Sequence, residues 1–287
     1  MIIINLEKCF ITVPLHFLFQ AFHSSIFMTI SFFFNKKAVL FLLFTAYMHI
    51  VFAQQKDSTK QVLNLFTAVS ITNNGISVIP SFSLGKPAAI IDLDLRYKKF
   101  SCEPQFRLGL NGKPWSFIFW WRYKLLKTPK FSLNVGAHPS VLFKTTPDAV
   151  VNGVTKDLIS AQRYLAAEVV PTYSLTPNIS VGAYYLYSHG LQKDGIQNTN
   201  FLTLNATFSN ISLGKNLFLR ISPQVFYLKM DKNDGFYANA AVTISKKNAP
   251  LSFTLFGNQK IKSSIAGQDF VWNATLMYGI NRKFVSQ

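Results

Sequence analysis

The sequence has 287 residues, of which 49% are hydrophobic, 15% aromatic and only 14% charged, where a soluble domain carries about 25% charged residues. That apolar content excludes a disordered chain, and two cysteines, Cys9 and Cys102, exclude a disulfide framework and a cysteine-based zinc site. The net charge is +17, but the basic residues are scattered over turn sequences and are not stacked with aromatics along a groove, so nucleic acid is not expected as a partner.

The N-terminus reads as a targeting segment. From Met28, "MTISFFFNKKAVLFLLFTAYMHIVFAQQ" places Lys36 and Lys37 before an apolar run from Ala38 to Phe52, and Val51 and Ala53 stand three and one residues before a cleavage point at Gln54. This is the pattern of a secretory signal. A retained inner-membrane helix is the competing reading, disfavoured because the run is short and ends in a cleavage-like site. Met28 is a second candidate start. Residues 1–53 are therefore expected to be an N-terminal extension and signal peptide, and 54–287 the mature chain, with a net charge of +15 and Cys102 as its lone thiol.

After a short polar lead, the mature chain alternates with period two almost to its end. Turn signals divide it into thirteen segments, near 61–72, 75–85, 89–97, 100–110, 115–126, 130–144, 160–175, 178–189, 199–209, 216–230, 235–246, 250–260 and 268–284. In 100–110 the apolar residues Phe100, Cys102, Pro104, Phe106, Leu108 and Leu110 alternate with Ser101, Glu103, Gln105, Arg107 and Gly109. That is a strand with one apolar and one polar face. In "PWSFIFWWRYKLL", 114–126, the same register turns Phe117, Phe119, Trp121, Tyr123 and Leu125 one way and Ser116, Ile118, Trp120, Arg122 and Lys124 the other. The last segment sets Phe270, Trp272, Ala274, Leu276, Tyr278 and Ile280 against Asn273, Thr275, Gly279 and Asn281.

The polar faces are rich in Ser, Thr, Asn, Gln and Gly. A soluble β-sandwich or lipocalin would turn its apolar face inward and show more Lys and Glu outside. Segments of this length with few charges instead match an all-β protein, a transmembrane antiparallel up-and-down β-barrel with its apolar side in lipid. Large aromatics near strand ends, such as Trp115, Tyr97 and Phe100, are expected in the interfacial girdles. Bacterial barrels have even strand numbers, so twelve strands are expected, with fourteen as the alternative. Long links at 145–159, 190–198 and 261–267 alternate with short turns at 176–178 and 246–250. Counting back from a descending last strand makes 75–85 the first strand. The expected organisation is then a periplasmic lead or plug at 54–74 and a barrel over 75–287.

The signal, the alternation and the aromatic end "FVWNATLMYGINRKF" resemble outer-membrane β-barrel proteins of the Bacteroidota type. The resemblance implies a bacterial outer-membrane location. It also implies lipid and lipopolysaccharide as surroundings, and recognition by the barrel-assembly machinery. Phe284 is followed by Val285-Ser286-Gln287, where the family's C-terminal signal ends on its aromatic residue.

Register assigns the lumen four acids, Asp92, Asp94, Glu103 and Glu168, and five bases, Arg96, Arg107, Arg122, Lys124 and Arg220. Near balance inside leaves the positive excess to loops, rims and tails, where it suits lipid phosphates. If Lys98-Lys99 is a two-residue turn, Asp94 stands opposite Glu103. If 111–114 is a four-residue loop, Glu103 also stands opposite Arg122, with Arg96 and Lys124 one step away. The cluster Asp94, Arg96, Glu103, Arg107, Arg122 and Lys124 reads as an ion-pair network bracing a narrow barrel, with a charged constriction, a cation site or an acid/base pair as the functional alternatives. His138 and Ser140 share the inner face with Glu168 on the following strand, the one set that could serve a lipid hydrolase, although no nucleophile motif surrounds Ser140. No cofactor or metal is expected. The sequence thus points to an outer-membrane barrel, first as a passive small-solute channel, with a plugged structural barrel and a lipid or lipid A hydrolase as alternatives. Nothing in it sets the oligomeric state.

Overall fold

In the computed structural model the described residues are 62–151 and 154–285, so the expected signal peptide, the Met28 start and the cleavage after Ala53 lie outside them. Twelve antiparallel strands close into a single barrel: β1 (Val62–Thr72), β2 (Ala88–Tyr97), β3 (Phe100–Gly109), β4 (Pro114–Lys127), β5 (Phe131–Val151), β6 (Val154–Ser174), β7 (Ile179–Gly190), β8 (Asn198–Ser212), β9 (Leu217–Met230), β10 (Asn233–Lys246), β11 (Leu251–Ser263) and β12 (Phe270–Val285). Each strand pairs with its sequence neighbours, and β1 closes on β12 from Val62↔Val285 to Thr72↔Thr275. Closure leaves no free sheet edge.

The period-two reading sorts the side chains correctly. On β12, Phe270, Trp272, Leu276, Tyr278 and Ile280 are exposed on the outside, while Asn273 is buried inside. The same division recurs around the barrel: Ser70, Ser101, Ser116, Ser188, Thr203 and Asn239 are buried on the inner face. A surface so rich in exposed Leu, Ile, Phe and Trp would be an extensive apolar patch in water. It suits lipid.

The two ends differ. At the turn end, short connections join β2–β3, β4–β5, β6–β7, β8–β9 and β10–β11, and the two terminal strands begin and finish there. The Lys98-Lys99 turn is as expected, with Tyr97 opposite Phe100 and Lys98 at φ 52°, the left-handed conformation that such tight hairpins require. At the loop end the expected long link at 145–159 is instead a continuation of β5 and β6, each 21 residues long, to the pair Val151↔Val154. A tilted strand crosses a bilayer in about ten residues, so this hairpin projects well beyond the membrane. The sequence carried the signal, since "VVNGV" sets an Asn-Gly pair between β-branched residues. On the projecting hairpin Asp157 is paired with Lys113, whose hydrogen bond and charge hold the carboxyl below its usual range.

Two expectations about the start of the barrel are corrected. Segment 61–72, read as part of a periplasmic lead or plug ending at 74, is the first strand. Segment 75–85, read as the first strand, is no strand: residues 73–87 fold back into the loop end of the barrel around one 3-10 turn, Pro80–Phe82. The composition "GISVIPSFSLG" explains it. Pro80 cannot donate to a ladder, and the segment satisfies itself instead. The Leu84 N–H donates to the Gly75 carbonyl (2.8 Å), the Gly75 N–H to Lys86 (2.7 Å) and the Ser77 N–H to Ser83 Oγ (2.9 Å). Val78, Ile79 and Phe82 then pack on an apolar cluster inside the barrel that includes Leu186, Phe201, Phe226, Leu228 and Tyr237.

Trp115 anchors this segment. The β3–β4 ladder shifts between Arg107 and Leu108, whose partners are Ser116 and Pro114, so Trp115 is an extra residue in a bulge. A bulge re-aims a side chain. Trp115 is 1% exposed, not in a lipid girdle as expected, and its Nε1–H donates to the Phe82 carbonyl at 2.8 Å. A Cβ on Gly75 would lie 3.2 Å from the Trp115 ring and 3.0 Å from Leu84 Cβ, so the close seating depends on glycine there. Tyr97 and Phe100 stay exposed at the turn end, as expected of girdle residues.

Trp115→Ala should lower barrel stability by about 3 kcal/mol, the usual cost of removing a buried large aromatic. A lower urea midpoint for the loss of heat-modifiable gel mobility would show it. Faster chymotryptic cleavage after Phe82 should accompany it, and unchanged cleavage would mean that the indole does not hold the segment.

Candidate functional site

Below the inserted segment the inner face carries two features, a charged row and a cavity. The row begins with the β2–β3 ladder. Asp92↔Gln105 and Leu95↔Cys102 bring Asp94 abreast of Glu103, as expected from the Lys98-Lys99 turn. Glu103, however, is not opposite Arg122. The expected four-residue loop at 111–114 is instead a link over 109–113 with Leu108 opposite Pro114, and after the one-residue bulge at Trp115 Glu103 faces Trp120 and Arg122 faces Ser101. The expected ion pair forms on the diagonal: Arg122 Nη1 donates to Glu103 Oε2, while Ser101 Oγ donates to Glu103 Oε1 at 2.7 Å.

Arg122 also reaches across β5. Ladder pairs run Arg122↔Gly136 and Gly136↔Glu168, so a residue without a side chain separates the guanidinium from the carboxylate. Arg122 Nε donates to Glu168 Oε1 at 2.5 Å, and Nη2 lies 3.4 Å from Oε2. A Cβ on Gly136 would sit 2.8 Å from Glu168 Oε1 and 3.0 Å from Arg122 Cγ. Gly136 is thus part of the site, and pairwise register alone did not reveal it. The Glu168 side chain is only 1% exposed, and a buried carboxylate needs a partner. Arg122 supplies it, with its guanidinium carbon 4.0 Å from the centre of the Trp120 ring.

Asp94 is held by Arg96, through Nε to Oδ1 at 2.8 Å and Nη2 to Oδ2 at 2.5 Å, and Arg96 Nη2 lies 3.8 Å from Glu103. Four of the six expected cluster members, Asp94, Arg96, Glu103 and Arg122, are therefore joined, together with Glu168. Lys124 makes no ion pair among the described residues, and Arg220 is exposed. Arg107 stands apart. Its Nε donates to Gln105 Oε1 at 2.6 Å, and Gln105 in turn donates to Asp92, so an amide separates the cation from that acid.

Prolines mark where the strands loosen. Pro104, Pro139, Pro171 and Pro223 sit on the outward side of β3, β5, β6 and β9, and each coincides with a gap in one flanking ladder. The missing N–H accounts for the gap. Three of the gaps lie beside Asp94 and Glu103, Trp120 and His138, and Tyr184.

The cavity has a volume of about 450 Å³, within the range of ligand pockets. Ile76, Val78, Ile79 and Phe82 of the inserted segment roof it, and Trp120, Tyr184 and Phe201 form its walls. His138 lies against Trp120 with ring centres 4.1 Å apart. Ser140 lines the same cavity, but among the described residues no hydrogen bond joins its hydroxyl to His138, whose Nδ1 has no partner. Glu168 is engaged by Arg122, and its ladder partner is Gly136, two residues before His138. The three hydrolase candidates share a face without forming a relay.

No family model matches the sequence, and no curated protein matches it. Solved structures that it resembles include the KdgM porin, at 10% identity over 75% of this chain and 98% of that one with a TM-score of 0.46. They also include the NanC porin (9% identity, 78% and 100% coverage, TM-score 0.43) and an outer membrane channel from Pseudomonas putida F1 (12%, 80% and 97%, 0.43). These neighbours are outer-membrane β-barrels, and the likeness is one of fold.

Arg122→Ala leaves Glu103 and Glu168 without their shared cation, and breaking a buried pair from one side costs about 3–5 kcal/mol. Gly136→Ala should act in the same direction, because its methyl group displaces the contact between Arg122 and Glu168. Urea unfolding in liposomes should show both variants destabilised. Full stability of Gly136→Ala would show that the row tolerates a spacer and that the close approach is incidental.

Proposed function

We propose that this chain is an integral outer-membrane barrel serving the passage of small solutes, with its lumen closed at rest by residues 73–87. The observation that carries the reading is the pairing of a polar inner face with an inserted segment. A barrel that needed only a filled interior could pack side chains from its strands. Here a separate stretch of fifteen residues, self-bonded at its base, occupies the loop end. Towards the turn end, the row from Asp94 to Glu168 forms the charged constriction.

Charge outside the lumen supports the orientation. The turns at the turn end carry Lys98, Lys99, Lys130, Lys215 and Lys247 without a single acid, whereas the loop end mixes Asp148, Asp157, Asp194, Asp231, Asp234 and Asp269 with lysines such as Lys86, Lys113, Lys193 and Lys232. Short turns face the periplasm in outer-membrane barrels, so the lysine collar meets phospholipid headgroups there. Each such cation contributes about 1 kcal/mol near an anionic surface. The bacterial source and the Bacteroidota-type resemblance belong to this reading, as does insertion by the barrel-assembly machinery. The hydrolase alternative draws no support from the geometry of Ser140, His138 and Glu168.

Single-channel recording of the full-length chain, expressed into outer membranes and extracted in detergent, tests the proposal. The native protein should be silent or open rarely, and a variant with 76–84 replaced by a short Gly-Ser link should give discrete steps. Ion selectivity should then change with Glu103→Gln. A folded, heat-modifiable deletion variant that stays silent would overturn the channel reading in favour of a scaffold. Frequent openings of the native chain would overturn the resting closure.

A further inference from the structure

The cavity beneath the inserted segment is more than residual space. Among the described residues three buried polar atoms on its walls have no hydrogen-bond partner: Ser116 Oγ, His138 Nδ1 and Thr203 Oγ1. Buried polar groups are nearly always hydrogen-bonded, so three in one cavity point to a missing occupant. The cavity is also lined by Arg107, whose one hydrogen bond among the described residues is from Nε to Gln105. Among the described residues no carboxylate comes within ion-pairing distance of it. Its guanidinium rests over the Trp115 ring at 5.0 Å, which holds the cation in place without neutralising it.

We propose that this cavity binds a compact monocarboxylate with an aromatic or branched apolar body. The terminal nitrogens of Arg107 offer the planar fork that a carboxylate accepts, and Ser116, directly opposite Arg107 in the β3–β4 ladder, places a free hydroxyl beside that fork. Much of the remaining wall is apolar or aromatic, with Ser140, Ser188, Asn205 and Gln224 interspersed. Trp120 is fixed between Arg122 and His138, Tyr184 packs edge-on against Phe201 at 5.8 Å, and Val78, Ile79 and Phe82 close the roof. Thr203 and His138 can hydrogen-bond a polar substituent on the body. A polyanion finds only one unpaired cation here, and a neutral hydrocarbon would leave Arg107 and the three orphaned atoms unpaired, which is costly. The charged row does not compete for the anion, because both of its arginines are already bound to carboxylates.

Binding here is independent of whether the lumen conducts, so the test uses no electrical readout. Fluorine NMR of the full-length, detergent-extracted chain would follow two probes, 4-fluorophenylacetate and 4-fluorobenzyl alcohol. The carboxylate should broaden on binding, and the alcohol should bind at least about tenfold more weakly, the loss expected when a charge-assisted hydrogen bond is removed. Arg107→Gln should weaken carboxylate binding by about the same factor while leaving heat-modifiable mobility intact, and Ser116→Ala should weaken it less. Equal broadening of both probes would overturn the proposal, since it would report partition into detergent or an unselective cavity. So would undiminished carboxylate binding in Arg107→Gln, or no binding by the native protein. Should Arg107→Gln not fold, the comparison of the two probes on the native protein and the Ser116→Ala titration still decide.

Discussion

Everything in this barrel follows from one constraint: backbone N–H and C=O groups in a lipid surrounding have no water to bond. Closing β1 on β12 removes the free sheet edges, and once closed, the wall gives every side chain only two places to go. The outer positions are mostly apolar, with Leu, Ile, Phe, Val and Trp prominent. Most of the Ser, Thr, Asn and charge of the strands falls on the inner positions, so the lumen of this barrel concentrates polar chemistry in a narrow, partly dry space.

The interior is correspondingly organised by depth. Near the loop end, Leu186, Phe201, Phe226, Leu228 and Tyr237 form an apolar core that no strand could cover by itself, and Val78, Ile79 and Phe82 cover it from the inserted segment. Nearer the turn end, Arg122 holds two carboxylates at once, which a narrow barrel can tolerate only because Gly136 leaves room between the strands. Between these layers lies the cavity with its unpaired Arg107. Two departures from ideal sheet geometry make the arrangement possible. The bulge at Trp115 turns an indole inward to fasten the segment, and it also shifts β4 so that Arg122 meets Glu103 on the diagonal. The outward prolines interrupt ladders beside the site, where side chains as large as Trp120 and Tyr184 point inward.

These features bear on how such a protein works. The segment is tied at its base to β12 through Asn73 and Asn74, but its apex at 76–84 is bonded mainly to itself and meets the wall through the Trp115 indole on Phe82 and the Ser81 hydroxyl on Met230, so the apex can be displaced without breaking a strand ladder. The charged row, by contrast, is spread over the walls of β2, β3, β4 and β6 and stays with the barrel. A roof of this kind over a charged floor is what the proposed passage of small solutes would require.

Much of this was legible in the sequence, because a period of two is a local property: each residue's face follows from its neighbours and the medium. Strand type, twelve-strand closure, the inner face of Glu103, Arg122, His138 and Glu168, and the apolar outside of β12 all belong to that class. What the sequence left open depended on contacts between distant segments. Segment 61–72 and segment 75–85 look alike in local alternation, and only the loss of ladder partners at Pro80, together with an uncovered apolar core across the lumen, decides which one becomes a strand. Trp115 reads as a girdle residue until the bulge turns it inward. Gly136 reads as one more small residue until Arg122 and Glu168 are placed on either side of it. The sequence by itself determined which side chains face lipid and which face the lumen wherever the ladder is regular, since alternation in a closed sheet allows nothing else there. Only the tertiary structure decided which of the lumen-facing groups meet, because register shifts, a missing Cβ and an inserted loop act across strands and leave no periodic trace.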